Sequence, residues 1–338
     1  MNFARTFGLA TVLATAVMVQ AQAQDAKEVR LLVYEGYADQ AWVDDFQKET
    51  GITVKVTYVG GVDEQIAKMK ASNGADYDIV AVDTASLGAY AAQGLIAPID
   101  FAEVTARANL LPEFRDAANA TFDGQTWGVP MAWGSLGLVY DKATFPEAPT
   151  SWSVLWDPQY QGKVTSLDDA NNNVNFAAIA LGIADPFHLT EEQFAQVKQK
   201  LLDLKGNLLT YYAGFDEGNT IWAENEVVLM FSMGELAEVS LKEKGFDVGY
   251  AIPEEGAVGW LDNLTVSAGS PHPETAYAWI NFFLQPKIGM DMNAKFGYAP
   301  TTAPVEGMDY ASRLKWAVNP EDYNRRQQLW NDVKAGVQ

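Results

Sequence analysis

From residue 30 to residue 94, short runs of branched apolar side chains alternate with amphipathic stretches, and this alternation restricts the fold more than any other feature of the chain. Residues 30–34 read as a buried strand, residues 41–50 as a helix with Trp42, Val43 and Phe46 on one side, and residues 52–59 as a second strand. Gly51 stands between helix and strand, where a left-handed cap is wanted. The plan then repeats, with a helix over 62–71, a strand over 77–82 and a helix over 86–93 ending at Gly94. Strands alternating with helices make a parallel sheet covered on both faces, and ligands of such sheets collect at the carboxyl ends of the strands. The residues that follow Tyr34 and Val82 are therefore the first places to look for a site.

After Pro130 the texture changes. Residues 131–140 read as a strand leaving the first unit, and Pro146, Pro149 and Pro158 punctuate the loop and helix that follow. A strand over 164–167 opens a second α/β unit, with helices near 174–181 and 191–205 and strands near 208–212, 227–231, 248–252 and 264–268. The tail from about Met308 is polar, carries Trp316 and Trp330, and reads as helices packed on the outside. A chain of 338 residues with 48% hydrophobic content can fill two cores. The little chain left between the units predicts hinge strands and not a flexible linker. The expected class is α/β with two lobes, each a mixed or parallel sheet flanked by helices. Residues 24–132 plus about 263–307 are assigned to lobe 1, and 133–262 plus about 308–338 to lobe 2.

The first 23 residues stand apart: Arg5, an apolar stretch over 7–19, then Ala21-Gln22-Ala23 ahead of the first acidic residue. That is the pattern of a secretory signal with a small-x-small cleavage site, which predicts export and cleavage near Ala23. No later segment reaches about 18 uninterrupted apolar residues, so the mature protein is expected to be soluble. The complete lack of cysteine removes thiol catalysis, thiolate metal sites and disulfides together. A formal charge of −21, from 44 acidic against 23 basic residues, repels phosphate backbones and anionic lipid, so no nucleic-acid partner is expected.

Catalytic constellations fail one by one, and neither an enzyme nor a cofactor is predicted. His188 lies in a turn beside Pro186 and His272 sits between two prolines, with no carboxylate on a shared periodic face. Triads, phosphate loops and dinucleotide glycine patterns are missing. Asp168 and Asp169 are adjacent and would point in opposite directions at a strand end, a poor geometry for paired acid and base in glycoside chemistry. What remains is a set of acids and aromatics at strand ends: Glu35, Tyr37 and Asp39, then Asp83, then Asp169 and Asn172, then Trp260 and Asp262. In a two-lobed α/β protein these ends face a common cleft. A cleft of carboxylates and ring faces without a positioned arginine favours a ligand carrying ammonium groups.

Local motifs sharpen the reading. Thr150-Ser151-Trp152, Leu155-Trp156-Asp157-Pro158 and Tyr160-Gln161-Gly162-Lys163 fall between the lobes; elsewhere stand Glu49-Thr50-Gly51-Ile52, Tyr77-Asp78-Ile79-Val80, Pro130 with Trp133-Gly134, Asp168-Asp169-Ala170, Trp260-Leu261-Asp262, and Ile280-Asn281-Phe282 leading to Phe296-Gly297-Tyr298. In this order they resemble the periplasmic polyamine-binding proteins of ABC transporters, the spermidine/putrescine class. The resemblance implies a two-lobed periplasmic binding protein fold that closes on its ligand, a membrane permease as partner, a periplasmic location and a monomer.

By the same resemblance, Asp169 and the pair Trp260 and Asp262 match the positions that grip amine groups, Tyr37 matches an aromatic turn, and Trp133 and Tyr298 join the expected lining. The departures are specific. Gly36 stands where a stacking tryptophan is usual, Asn172 replaces a second acid, Ala85 replaces a tyrosine with Asp83 nearby, and the tryptophan usual near Ser232 is missing with Glu235 close by. With Tyr37 serving the first turn, the tyrosine and the tryptophan near Ser232 are two aromatic walls lost, and with Glu35, Asp83 and Glu235 as added acids the resemblance implies a shorter or different amine. Binding is expected to start at Asp262 and Trp260, with closure bringing up Asp169. As an alternative, Tyr211-Tyr212 resembles the tyrosine pair of exported ferric-ion binders, leaving iron or another small, amino-acid-like solute as the second reading.

Overall fold

A computed structural model describes residues 27–337 of the chain; the expected signal segment lies outside the described residues. The first part is built as β1 (Glu28–Val33), α1 (Gln40–Thr50), β2 (Thr53–Tyr58), α2 (Val62–Ser72), β3 (Ile79–Asp83) and α3 (Thr84–Ala92). Asp39 caps α1 by accepting from the backbone N–H of Ala41, and Gly51 ends that helix at φ 70°, a left-handed conformation that suits glycine. A short β4 (Ile96–Ala97), α4 (Pro112–Arg115) and the two-residue strands β5 (Thr121–Phe122) and β6 (Gln125–Thr126) lead into β7 (Val129–Leu136).

The chain then builds β8 (Leu138–Asp141), β9 (Val164–Leu167), α5 (Ala170–Ala180), α6 (Glu191–Lys205), β10 (Leu208–Tyr212), α7 (Phe215–Glu224), β11 (Leu229–Phe231), α8 (Leu236–Glu243) and β12 (Val248–Ala251). It returns as β13 (Ala257–Ser267), α9 (Pro273–Phe283), α10 (Pro286–Phe296), β14 (Ala299–Pro300), β15 (Leu314–Trp316) and α11 (Tyr323–Ala335).

Two sheets organise these elements. The larger runs β14-β7-β13-β3-β1-β2, with β15 and β4 also paired to β13; the smaller runs β10-β9-β11-β8-β12. Parallel pairing of β1 with β2 and β3 gives the expected α/β half, and antiparallel β13 against both β3 and β7 makes the large sheet mixed. The small sheet is mixed too, with β9, β10 and β11 parallel and β8 antiparallel to β11 and β12.

The structure departs from the sequence reading in two elements. The run 131–140 is not one strand: it breaks at Gly137, with β7 in the large sheet and β8 in the small one. The strand read at 264–268 starts at Ala257 and carries Trp260 and Asp262 within the large sheet. The tail is also less peripheral than expected, because β15 extends the large sheet and α11 buries Leu329, Trp330 and Val333 against α5 and α6.

At Gly137 the chain passes between sheets in contact with Tyr250. The glycine N–H donates to the Tyr250 hydroxyl at 2.6 Å, its carbonyl accepts from the Ser232 N–H at 2.9 Å, and an added Cβ would meet the Tyr250 ring at 2.5 Å. Any side chain here would have to displace that ring. Two apolar clusters sandwich the large sheet, one centred on Phe46, Trp279 and Phe282. A third fills the small sheet and continues into Leu136, Val258 and Leu261, so the lobes share buried apolar surface at the crossing.

Candidate functional site

Trp260 and Asp262 are two residues apart on β13, so a strand's alternation sends both to the same face while Leu261 goes to the core on the other. Beside them the turn after β1 brings Tyr34, Glu35 and Tyr37, and the segment after α10 brings Tyr298. The second lobe closes the space with Phe215, at the start of α7, and with Met233 and Gly234, which follow β11. Together they enclose about 170 Å³, and among the described residues the lining holds two carboxylates and no lysine, arginine or histidine.

The rings form a connected wall. Trp260 and Tyr298 meet edge to face with centroids 5.1 Å apart, Tyr37 and Tyr298 at 6.0 Å, and Tyr34 and Tyr37 at 6.4 Å. The Trp260 ring covers Gly134 on the neighbouring strand so closely that an added Cβ would lie 2.3 Å from it.

Asp262 is buried at the base of this wall and accepts a very short hydrogen bond from the Tyr37 hydroxyl. Burial pushes its carboxyl up to about 7, Asp83 directly across the β3–β13 pairing adds to the rise, and the Tyr37 bond opposes it. Burial, then the Asp262 charge, hold the Tyr34 and Tyr37 phenols well above their ordinary range, so both stay neutral donors. A carboxylate that is costly to ionise in an empty pocket, framed by neutral phenols and ring faces, is arranged to receive a positive charge.

The other expected residues lie in different places. Glu35 is exposed at the rim of the cavity. Asp39 is occupied in capping α1 and in an ion pair with Lys295 at 3.0 Å, outside the cavity lining. Asp83 caps α3, accepting from the Ser86 N–H at 3.0 Å and hydroxyl at 2.6 Å, and reaches the site through its charge on Asp262.

Trp133 is corrected outright. It pairs with Leu261 and not Trp260, so it faces away from the cleft, packs on Tyr310 and Trp316, and lines a separate cavity of about 540 Å³. Glu235 also turns from the cleft lining, toward Ser135 and Tyr310, and borders a groove of about 630 Å³.

Asp169 caps α5, accepting from the Asn172 N–H at 2.8 Å; burial raises its carboxyl above the usual range against the pull of that bond, and Asp168 adds to the rise. Neither Asp169 nor Asn172 is in the cavity lining, although α5 touches β13 of the other lobe. Asp168 turns instead to α11, accepting from Trp330 Nε1 at 2.7 Å and Lys334 Nζ at 2.8 Å.

Tyr211 and Tyr212 diverge as neighbours on a strand must. Tyr211 packs on Trp330, while the buried Tyr212 hydroxyl donates to the Phe231 carbonyl at 2.8 Å and accepts from the Met233 N–H at 3.2 Å. Among the described residues no three His, Cys, Asp or Glu side chains gather as a metal would require. Tyr34, Phe215, Met233 and Gly234 escaped the sequence reading; the last three follow the carboxyl ends of β10 and β11, so the strand-end rule applied to the second lobe would have found them.

Comparison with known proteins points the same way. The profile of the family described as bacterial extracellular solute-binding protein matches residues 41–313. The spermidine/putrescine-binding periplasmic protein 1 of Haemophilus influenzae is 28% identical over 277 residues, 81% of this chain and 75% of that protein. The putrescine/cadaverine-binding protein of Pseudomonas aeruginosa is 25% identical over 352 residues, 96% of this chain and 98% of that one. Among solved structures, the spermidine/putrescine ABC transporter substrate-binding protein of Streptococcus pneumoniae superimposes with a TM-score of 0.80 at 22% identity, covering 92% of this chain and 100% of that one. A lipoprotein of Treponema pallidum gives 0.77 at 19% identity, over 91% and 99%. These likenesses carry the two-lobed periplasmic binding protein fold.

Proposed function

The chain belongs to the bacterial extracellular solute-binding proteins, and on that premise we propose that it captures a small amine of the polyamine type between its lobes and delivers it to the permease of an ABC importer. The observation that carries the reading is Asp262: a buried carboxylate at the base of an aromatic wall, in a cavity with a second carboxylate and no cationic side chain. One ammonium group is held by Asp262 with Trp260 and Tyr298 offering ring faces, and the methylenes run between the rings toward Glu35. A cavity of about 170 Å³ favours a diamine over a longer polyamine. That relatives are named for spermidine, putrescine and cadaverine supports the chemical class.

The role is binding and not catalysis; the two histidines are exposed and pair only with Asp185 and Glu274. Export to the periplasm, cleavage near Ala23 and a monomeric state belong to the same proposal. The lobes are taken to divide at Gly137 and in 252–256, where the chain changes sheets, and in 317–322, where it leaves β15 for α11. Closure about these crossings expels water and strengthens the ion pair.

Calorimetry on the purified protein tests this with putrescine, cadaverine, agmatine and spermidine, and with 1,4-butanediol as an uncharged control. A diamine is expected to bind with a Kd near 1 μM, about 8 kcal/mol, and the diol not at all. Because a hydrogen bond to a charged group is worth about 1.5–3 kcal/mol, Asp262→Asn should weaken diamine binding by roughly 10- to 100-fold. Equal affinity for the diol, or no binding by any amine, would overturn the proposal.

A further inference from the structure

Glu235 is a buried acid that, among the described residues, has no ion-pair partner and has one oxygen without a hydrogen bond. It precedes α8 and directly follows Met233 and Gly234, which form the second-lobe wall of the cleft. Its Oε1 accepts from the Ser135 N–H at 2.9 Å, the Ser135 hydroxyl at 2.6 Å and the Tyr310 hydroxyl at 2.6 Å, while Oε2 is buried without a partner. Ser135 lies on β7 of the large sheet and Tyr310 on the connection between β14 and β15 of that sheet, whereas Glu235 stands on the segment that follows β11 of the small one. Tyr250 of β12 adds a parallel tie, donating to the Ser135 carbonyl at 2.7 Å and accepting from the Gly137 N–H at 2.6 Å. These bonds join the lobes immediately beside the crossing.

The same carboxylate also lies next to the ligand wall. A Cβ added to Gly134 would be 2.8 Å from Glu235 Oε2 and 2.3 Å from the Trp260 ring, so acid and ring crowd one face of a single glycine. A buried carboxylate without a cation costs stability, and burial pushes this one up to about 7. Its three donors come from the other lobe and offset that cost only while the lobes sit together.

We propose that Glu235 is an inter-lobe latch, a positioning residue that holds Met233 and Gly234 against Trp260 and so sets how long a bound amine stays in the cleft. The ligand half of this inference rests on the amine reading; the lobe half does not. Two variants test it, Glu235→Ala and Tyr310→Phe, each read by stopped-flow tryptophan fluorescence with putrescine and by small-angle scattering without ligand. Loss of a latch should speed release, about tenfold for Glu235→Ala and about threefold for Tyr310→Phe, with association changed less than about twofold. The ligand-free radius of gyration should rise in both.

A merely structural role would lower the melting temperature and leave release alone. Release rates within about twofold of the parent, with unchanged scattering, overturn the latch. Should no amine bind the parent protein, the amine reading fails by itself and scattering alone decides the latch. Tyr310→Phe, which loses one hydroxyl, carries the test if Glu235→Ala does not fold.

Discussion

Asp262 fixes how binding should depend on pH. Its carboxyl sits near 7 in the fold against about 4 in an unfolded chain, so the folded state holds the extra proton between those values. The contribution to stability is fully present below about 4 and is lost as pH rises through about 7; Glu235, raised to about 7 by burial, has the same sign. An ammonium ligand needs the ionised form. Diamine affinity measured by calorimetry should therefore be level above pH 7 and fall up to about tenfold per unit below it, and Asp262→Asn should flatten that fall. A steep fall that survives in Asp262→Asn would move the titrating group elsewhere. Trp260 and Asp262 were legible because alternate residues of a strand share a face. Trp133 was not, because its face depends on pairing with Leu261 and not with Trp260, and that register lies in contacts 128 residues apart in the chain, 261 minus 133. Asp39 and Asp83 looked like site acids because a strand end is also a helix start, where an aspartate has a second use as a cap.

At the scale of elements, two contacts account for motifs that have no ligand to touch. Asp78, in the Tyr77-Asp78-Ile79-Val80 motif, is fully buried and takes the Arg30 guanidinium at 2.8 and 2.9 Å, the Arg30 N–H at 2.8 Å and the Ser270 hydroxyl at 2.6 Å. Burial works to raise its carboxyl, but the Arg30 and Ser270 bonds outweigh it and hold the group below the usual range. The pair clamps β1 to the entry of β3, and removing Arg30 leaves the buried Asp78 carboxylate without its cation. Arg30→Met should cost about 3 kcal/mol or more in urea unfolding while diamine affinity of the folded fraction stays within about twofold. Gly134 makes the opposite prediction. Gly134→Ala would drive a methyl into the Trp260 ring, so binding should weaken by tenfold or more at a smaller stability cost of about 1–3 kcal/mol. Unchanged affinity in that variant would show that Trp260 is not the ligand wall. The break between β7 and β8 escaped the sequence reading because residues 131–140 read as apolar apart from Ser135; the signal was Gly137, whose need for close approach to Tyr250 appears only when β12 is in place.

For the whole molecule, the alternation before residue 94 was enough to place a parallel half-sheet, yet not the return of β13, β14 and β15 to it. Periodicity registers neighbours in sequence, and these pairings join segments separated by most of the second lobe. Charge acts at the same long range. With a formal total of −21, the chain carries a net field that draws a dication toward it before any contact forms. Screening shortens that reach from about 30 Å at 0.01 M salt to about 3 Å at 1 M. The contacts at Asp262 are buried and feel salt far less. Putrescine association should therefore slow by about tenfold or more between those salt concentrations, with release changed by less than about threefold, in stopped-flow measurements at pH 8. Were salt to act on release and leave association untouched, the acidic surface would have no part in capture, and the excess of acids would serve only to keep the protein in solution.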